Sequence, residues 1–312
     1  MPDEVTPLQR MAAECEELSE LLVAQSRQQI AEGLSEYGED LQPLQNLAVF
    51  MRFLVERRNV NAAPRAVRIL YAKLVDTLNG VTCLLQAGLP GPAAALARTL
   101  FETAVHFRVL LGGDLTERCR LFDNFILVER SRIGPGEGIT VEQVAENAAA
   151  FERVRADYHP KKQESWCWKV VGQLKANGKP RENPRIRDLA REVGYLDYYE
   201  DIYGRLSAAV HPTPAYESWM RRPDGQMELG PKFGPHHPPI ARVAAALVTA
   251  TLLRLLEVLD PPDRLDLSRL LVALSATRGQ QAAETTDTPE QEDEGRSGFD
   301  GVSSSSEGDR ES

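Results

Sequence analysis

The stretch RAVRILYAKLVDTLNGVTCLLQAGLPGPAAALARTLFETAVHFRVLL, residues 65–111, decides the fold of this chain. Apolar residues recur in it every three or four positions, which is the spacing that places them on one face of an α-helix. The connector Gly88-Leu-Pro-Gly-Pro92 supplies a glycine that ends one helix and a proline suited to the first turn of the next. The stretch therefore predicts an antiparallel pair of helices at residues 65–87 and 93–111.

The same spacing continues on both sides of this pair. It predicts an acidic amphipathic helix at 7–36 that ends near Gly33 and Gly38, and an apolar helix at 240–259. Helix starts are indicated at Asp114, Thr140 and Asn183, and a further helix is predicted at 197–210. Because no alternating strand pattern of useful length and no internal repeat occurs, we predict an all-α antiparallel bundle.

Charge divides the chain into three parts. The net charge is −10, but residues 1–42 carry −8 and residues 277–312 carry −7, which leaves +5 for residues 43–276. The sequence thus predicts an extra acidic N-terminal helical segment at 1–42, one helical-bundle domain at 43–276 and a disordered acidic Ser/Glu-rich tail at 277–312. Residues 153–187 hold ten basic residues and three acidic ones, so a basic, loop-rich insertion interrupts the bundle there.

The composition excludes several classes of protein. With 42% hydrophobic and 26% charged residues, the 312-residue chain is typical of globular proteins rather than fibrous ones. The four cysteines lie far apart without a CxxC pair, which argues against a zinc ribbon or a disulfide framework. No secretory signal is indicated, and the best apolar run, residues 243–253, is shorter than the roughly 20 residues of a membrane span. We therefore expect a cytoplasmic protein without a membrane partner.

Two sets of polar residues recur at a spacing of four, which places each set along one stripe of a helix. They are Arg98, Glu102 and His106 in the second helix of the pair, and Tyr203, Ser207 and His211 in the helix predicted at 197–210. If such a stripe faces the core, its charges must be paired, because an isolated buried ion is costly. The stripes are either an internal polar clamp or a positioned acid or base that faces a cleft.

Three motifs carry a resemblance to known proteins. They are Arg98-Thr-Leu-Phe-Glu102, Ile186-Arg-Asp-Leu-Ala190 and Tyr203-Gly-Arg-Leu-Ser-Ala-Ala-Val-His-Pro212. Their combination resembles a family of uncharacterised helical prokaryotic proteins, which is similar in turn to the HEPN superfamily, marked by Arg-x4-6-His. Arg205 and His211 form Arg-x5-His here, and Leu206 follows the arginine where HEPN proteins commonly have a polar residue. The resemblance spans residues 65–259 and implies a HEPN-like bundle.

The resemblance implies metal-independent cleavage of RNA. His211 would act as general base on a ribose 2′-hydroxyl and Arg205 would stabilise the charge that develops on the phosphate. Glu102 would orient His211, and Arg98 would be a second phosphate contact; Tyr203, Ser207 and His106 would support them. On an ideal helix, Arg205 and His211 lie about 120° apart, so a long arginine side chain or a symmetric homodimer would have to complete such a site.

The basic insertion would suit a single RNA strand, with cations for the phosphates and aromatic rings for the bases. The residues concerned are Lys161, Lys162, Trp166, Trp168, Lys169, Lys175 and Lys179. The alternative is a solvated loop with both tryptophans packed on the bundle. No metal or other cofactor is predicted, because Glu102 and His106 form one Glu-x3-His, and not the two Glu-x-x-His pairs of a di-iron bundle.

Two functions thus remain open from sequence. The first is a metal-independent, RNA-cleaving effector of the HEPN type, of a defence or toxin kind. The second is a non-catalytic helical binding or scaffold protein that is held together by a buried Arg/Glu/Ser/His network.

Overall fold

Helix α1 (Pro7–Glu56) is longer than its sequence predicts. The computed structural model of the chain describes residues 7–57, 59–136, 138–161, 163–171, 177–179, 182–208 and 235–276. The helix passes through Gly33, Gly38 and Pro43, although glycine costs about 1 kcal/mol in a helix and an internal proline costs about 3 kcal/mol. Its second half packs into the core with Leu41, Leu44 and Leu47 fully buried, and this burial offsets the local cost.

The helical pair predicted at 65–111 is confirmed as α2 (Arg65–Gln86) and α3 (Pro90–Leu110). Gly88 has a φ of +68°, and Leu89 N–H donates to Leu84 O at 2.8 Å, so glycine ends α2 as expected. The two helices approach closely where a Cβ on Gly80 would lie 2.4 Å from a side-chain carbon of Leu96. The start of α3 is earlier than predicted, because both prolines of the connector fit its first turn.

Two capped helices follow, α4 (Leu115–Ser131) and α5 (Val141–Glu152). Asp114 accepts hydrogen bonds from the backbone N–H groups of Thr116 and Glu117, and Thr140 forms a full capping box with Gln143. Both predicted helix starts are therefore confirmed.

Short helical segments occupy the region before residue 209. They are a 3₁₀ turn (Arg155–Asp157), α6 (Trp168–Val171), α7 (Ile186–Glu192), α8 (Leu196–Tyr198), a π-helical turn (Tyr199–Tyr203) and α9 (Gly204–Ala208). The end of α7 at Gly194, with a φ of +76°, is as predicted, but its start is capped by Arg185 and not by Asn183. The single helix predicted at 197–210 begins one residue earlier and contains the π turn, which the sequence pattern did not indicate.

Helices α10 (His237–Leu259) and α11 (Arg264–Ser275) close the bundle. Helix α10 packs against α1, α2, α3 and α11. By length and composition alone, this helix is long and apolar enough to cross a membrane. The sequence pattern indicates only the 11 residues 243–253 as an apolar run, which is too short to do so. Thr251, Leu252 and Leu255 are fully buried within the bundle, as the central helix of a core requires.

The described residues form an all-α structure without strands. The described residues between 7 and 276 belong to one compact unit, and the tail predicted at 277–312 lies outside the described residues. Helix α1 runs through position 42 without a break, so residues 7–42 of the acidic segment and the first core helix are one continuous element.

Candidate functional site

The two predicted polar stripes meet through three side chains. Arg98 Nε donates to Glu102 Oε1 at 3.2 Å and to the Tyr203 hydroxyl at 3.0 Å. The Tyr203 hydroxyl donates to the same Glu102 oxygen at 2.6 Å. We call Arg98, Glu102 and Tyr203 the polar triad. It joins α3 to the π turn, which is more than 100 residues further along the chain.

The π turn holds Tyr203 in place by aromatic contacts. The ring of Tyr203 stacks on Tyr199 with centroids 4.8 Å apart and packs at a tilt on Phe101 at 5.4 Å. The guanidinium of Arg98 lies over the same ring, 5.0 Å from its centroid. The phenol is therefore fixed on both faces and at its oxygen.

The triad is partly open to solvent. The side chains of Arg98 and Glu102 are 25% and 38% exposed. Burial would lower the pKa of Arg98, but its bonds to Tyr203 and Glu102 raise that pKa overall. Burial and the bond to Glu102 raise the pKa of Tyr203, so the phenol keeps its proton at neutral pH and donates it to the carboxylate.

A cleft of about 520 Å³ lies between α2, α3, α4 and the segment before α6, and Glu102 is on its wall. A second, shallower depression on the other side of Glu102 includes Arg98. The side chains that line the cleft come from four separate parts of the chain: Arg65, Ile69, Leu70, Lys73, Thr99, Glu102, Thr103, His106, Phe122, Asp123, Phe125, Ile126, Glu129, Glu164, Ser165 and Trp166. We call this the α2–α4 cleft.

His106 lies on the same stripe as the triad but is separate from it. Its Nδ1 is 3.6 Å from the sulfur of Cys167, and its ring centroid is 6.2 Å from that of Trp166. Burial lowers the pKa of His106 to about 4, and Lys73 adds to this against the opposing effect of Glu102. The imidazole is therefore neutral at pH 7 and lines the α2–α4 cleft without a hydrogen bond to Glu102 in the described structure.

Arg205 is exposed, and no hydrogen bond or ion pair joins it to the triad. Tyr203 and Leu206 are buried on the inner side of this segment, whereas Gly204 and Arg205 are on its outer side. No described residue forms a hydrogen bond or ion pair with Arg205. Ser207 is partly buried beside it, and His211 lies outside the described residues.

One lysine of the basic insertion belongs to a cluster of ion pairs. Lys169 pairs with Asp157 at 2.6 Å, and Arg120 holds the same carboxylate at 2.6 Å. Hydrogen bonds from Arg120 lower the pKa of Asp157, with the bond from Lys169 adding to the effect. This ion-pair cluster, which sequence reasoning missed, neutralises one of the predicted phosphate contacts.

Trp166 of the insertion is buried, and Trp168 is half-buried. Trp166 is 6% exposed and meets Phe122 edge to face at 5.4 Å, while Trp168 meets His159 at 5.6 Å. Lys161 and Lys179 are exposed. Lys162 and Lys175 lie outside the described residues.

The model of one protein family matches residues 65–227, just over half of the chain, and it is described as a family of unknown function (DUF5677). No curated protein and no solved structure matches the chain. The matched range contains all three residues of the polar triad as well as Arg205 and His211.

Proposed function

We propose that this chain, which belongs to DUF5677, a family of unknown function, is a metal-independent ribonuclease with a HEPN-like bundle. One observation carries this proposal: the hydroxyl of Tyr203 bonds to both Arg98 and Glu102. The segment that carries Tyr203 and, two residues later, Arg205 is thereby anchored to α3.

Each of the three side chains His211, Arg205 and Arg98 would have one role in the reaction. His211 would accept the proton of a ribose 2′-hydroxyl, whose oxygen then attacks the adjacent phosphorus. Arg205 would stabilise the charge on the phosphate oxygens, and Arg98 would be a second contact for them. The 5′ oxygen leaves, and the products are a 2′,3′-cyclic phosphate and a 5′-hydroxyl. No metal ion is needed for any of these steps.

Two features of the side chains support these tasks. Arg205 is exposed and makes no hydrogen bond or ion pair with a described residue, so its guanidinium is available to an anion. Glu102 accepts hydrogen bonds from Arg98 and Tyr203, so its carboxylate is held in one orientation. Lys161 and Lys179 are exposed and would be available to RNA, whereas Trp166 is buried and would not stack on bases.

The test is cleavage of a mixed tRNA and mRNA pool in EDTA by purified wild type, Arg205→Ala and Arg68→Ala. Arg68 is the matched control, because it is an exposed arginine of α2 that forms no ion pair with a described residue. The proposal expects a rate at least about a hundredfold lower in Arg205→Ala and an unchanged rate in Arg68→Ala. Equal rates for the two variants would count against it.

A second candidate is a non-catalytic binding or scaffold protein, in which the triad only clamps α3 to the π turn. The observation that favours it is that the three polar groups bond to one another and that Arg98 uses one nitrogen for both bonds. In that case no RNA is cleaved, and removal of a triad residue changes stability alone. The cleavage assay separates the two functions directly.

A further inference from the structure

The α2–α4 cleft has two carboxylates that have no partner among the described residues. Glu129 enters it from α4, and Glu164 enters it from the segment before α6. Both are exposed, and neither forms a hydrogen bond or ion pair with a described residue. Carboxylates on separate walls of one cleft attract a cation that can lie between them.

The other charges of the cleft do not cancel the negative charge of Glu129 and Glu164. Arg65 is paired with Asp123 at 2.7 Å, and Glu102 is paired with Arg98. Lys73 is the one remaining cation on the wall, among the residues that the structure describes. Two carboxylates therefore face a single ammonium group, and the cleft is negative overall.

The floor between these charges is apolar. The exposed fractions of Ile69 and Ile126 are 39% each, although both side chains are large and hydrophobic. The rings of Phe122 and Phe125 lie beside them, and Trp166 closes one side. Exposed apolar surface inside a concave site is typical of a site for a small molecule, and aromatic faces also attract cations.

The inner end of the cleft adds no positive charge. His106 is neutral at pH 7, and no described residue bonds to its Nε2. A neutral imidazole nitrogen can accept a hydrogen bond and does not repel an ammonium group. The cleft thus combines an apolar floor, acceptor groups and unpaired carboxylates.

We propose that the α2–α4 cleft binds a small organic amine, with its ammonium group between Glu129 and Glu164 and its apolar body on the floor formed by Ile69, Ile126 and Phe122. The volume of about 520 Å³ is within the usual range for a small-molecule site. The proposal does not rest on RNA cleavage, because none of these five residues belongs to the proposed reaction, although Glu102 lies on the wall of the same cleft.

The test is isothermal titration calorimetry of the full chain with tryptamine and two analogues that differ in charge. Tryptophol has the same ring and a neutral hydroxyl, and indole-3-acetate has a negative charge. We expect tryptamine to bind at least about tenfold more tightly than tryptophol, and indole-3-acetate not to bind, because only the amine matches the carboxylates. Phenethylamine and hexylamine are titrated in parallel to vary the apolar body.

Variants locate the site. Glu129→Gln with Glu164→Gln should weaken tryptamine binding about tenfold or more, whereas Glu146→Gln, an exposed position on α5 outside the cleft, should leave it unchanged. Ile126→Trp should fill the space above the apolar floor and abolish binding. The four carboxylates of the cleft all remain in this variant: Glu102, Asp123, Glu129 and Glu164. The proposal is overturned if the neutral or acidic analogue binds as tightly as the amine, if none of the three amines binds, or if binding survives both sets of variants.

Discussion

The hydroxyl oxygen of Tyr203 lies 2.6 Å from Oε1 of Glu102, although the two residues are 101 positions apart in the chain. This bond joins a long core helix to a short π turn at the surface. Because the pKa of Tyr203 is raised by burial and by Glu102, the phenol remains the donor over the whole physiological range. The bond has consequences for stability and for activity.

Tyr203→Phe should lower the free energy of unfolding by about 1 kcal/mol, since it removes two partly exposed hydrogen bonds to charged groups, one to Glu102 and one from Arg98, and keeps the ring. Urea denaturation followed by circular dichroism measures this change. The matched control is Tyr198→Phe, because Tyr198 is 37% exposed and its hydroxyl bonds to no described residue. A loss of equal size in both variants would show that the bond to Glu102 contributes nothing.

Arg98→Ala and Arg205→Ala should differ in stability. Arg98 bonds to two side chains and covers an aromatic ring, so its loss should cost about 1 to 2 kcal/mol. Arg205 is exposed without such contacts, and its loss should change the free energy of unfolding by less than about 0.5 kcal/mol. Thermal and urea unfolding of the two variants provide the comparison. A destabilised Arg205→Ala would mean that any loss of cleavage in it reflects folding rather than chemistry.

His106 should make the protein less stable in mild acid. The unfolded chain takes up a proton near pH 6.5, but the folded chain does so only near pH 4, so the unfolded state binds more protons between these values. Stability should therefore fall as the pH is lowered through this window, by about 2 kcal/mol from pH 7 to pH 5. In His106→Gln this part of the pH dependence should disappear. If the free energy of unfolding falls by the same amount from pH 7 to pH 5 in wild type and in His106→Gln, the assignment is contradicted.

Two glycines should respond in opposite directions to alanine. Gly38 is inside helix α1, and a Cβ there would meet no atom within 4 Å, so Gly38→Ala should stabilise the protein by about 0.5 to 1 kcal/mol. Gly194 ends α7 with a φ of +76°, so Gly194→Ala should destabilise it by about 1 kcal/mol. Melting temperatures measured side by side test both signs. The same sign for both would be inconsistent with the backbone geometry.

The sequence was most informative where structure is local. The α2 and α3 helices, their glycine and proline connector, and the caps at Asp114 and Thr140 depend on neighbours within a few residues, and all of these predictions are confirmed. The continuation of α1 through Gly38 depends on burial against distant helices, which local propensity does not report. For the same reason the predicted end of that helix was wrong.

The candidate site was only partly predictable. A spacing of four identified Arg98, Glu102 and Tyr203 as residues of two stripes, but the π turn that brings Tyr203 onto Glu102 has no local signature. The lining of the α2–α4 cleft was missed because Lys73 and Glu129 belong to helices that are distant in the chain. The burial of Trp166 also depends on α4, so composition alone suggested a ring free to stack on bases.

The central claim, cleavage of RNA without a metal, is tested most directly by mapping the ends of the products formed in EDTA by wild type and His211→Ala. We predict 2′,3′-cyclic phosphate and 5′-hydroxyl ends from the wild type and none from the variant, with equal melting temperatures for the two proteins. Absence of cleavage by the wild type, cleavage that survives in His211→Ala, or products with 5′-phosphate ends would contradict the claim.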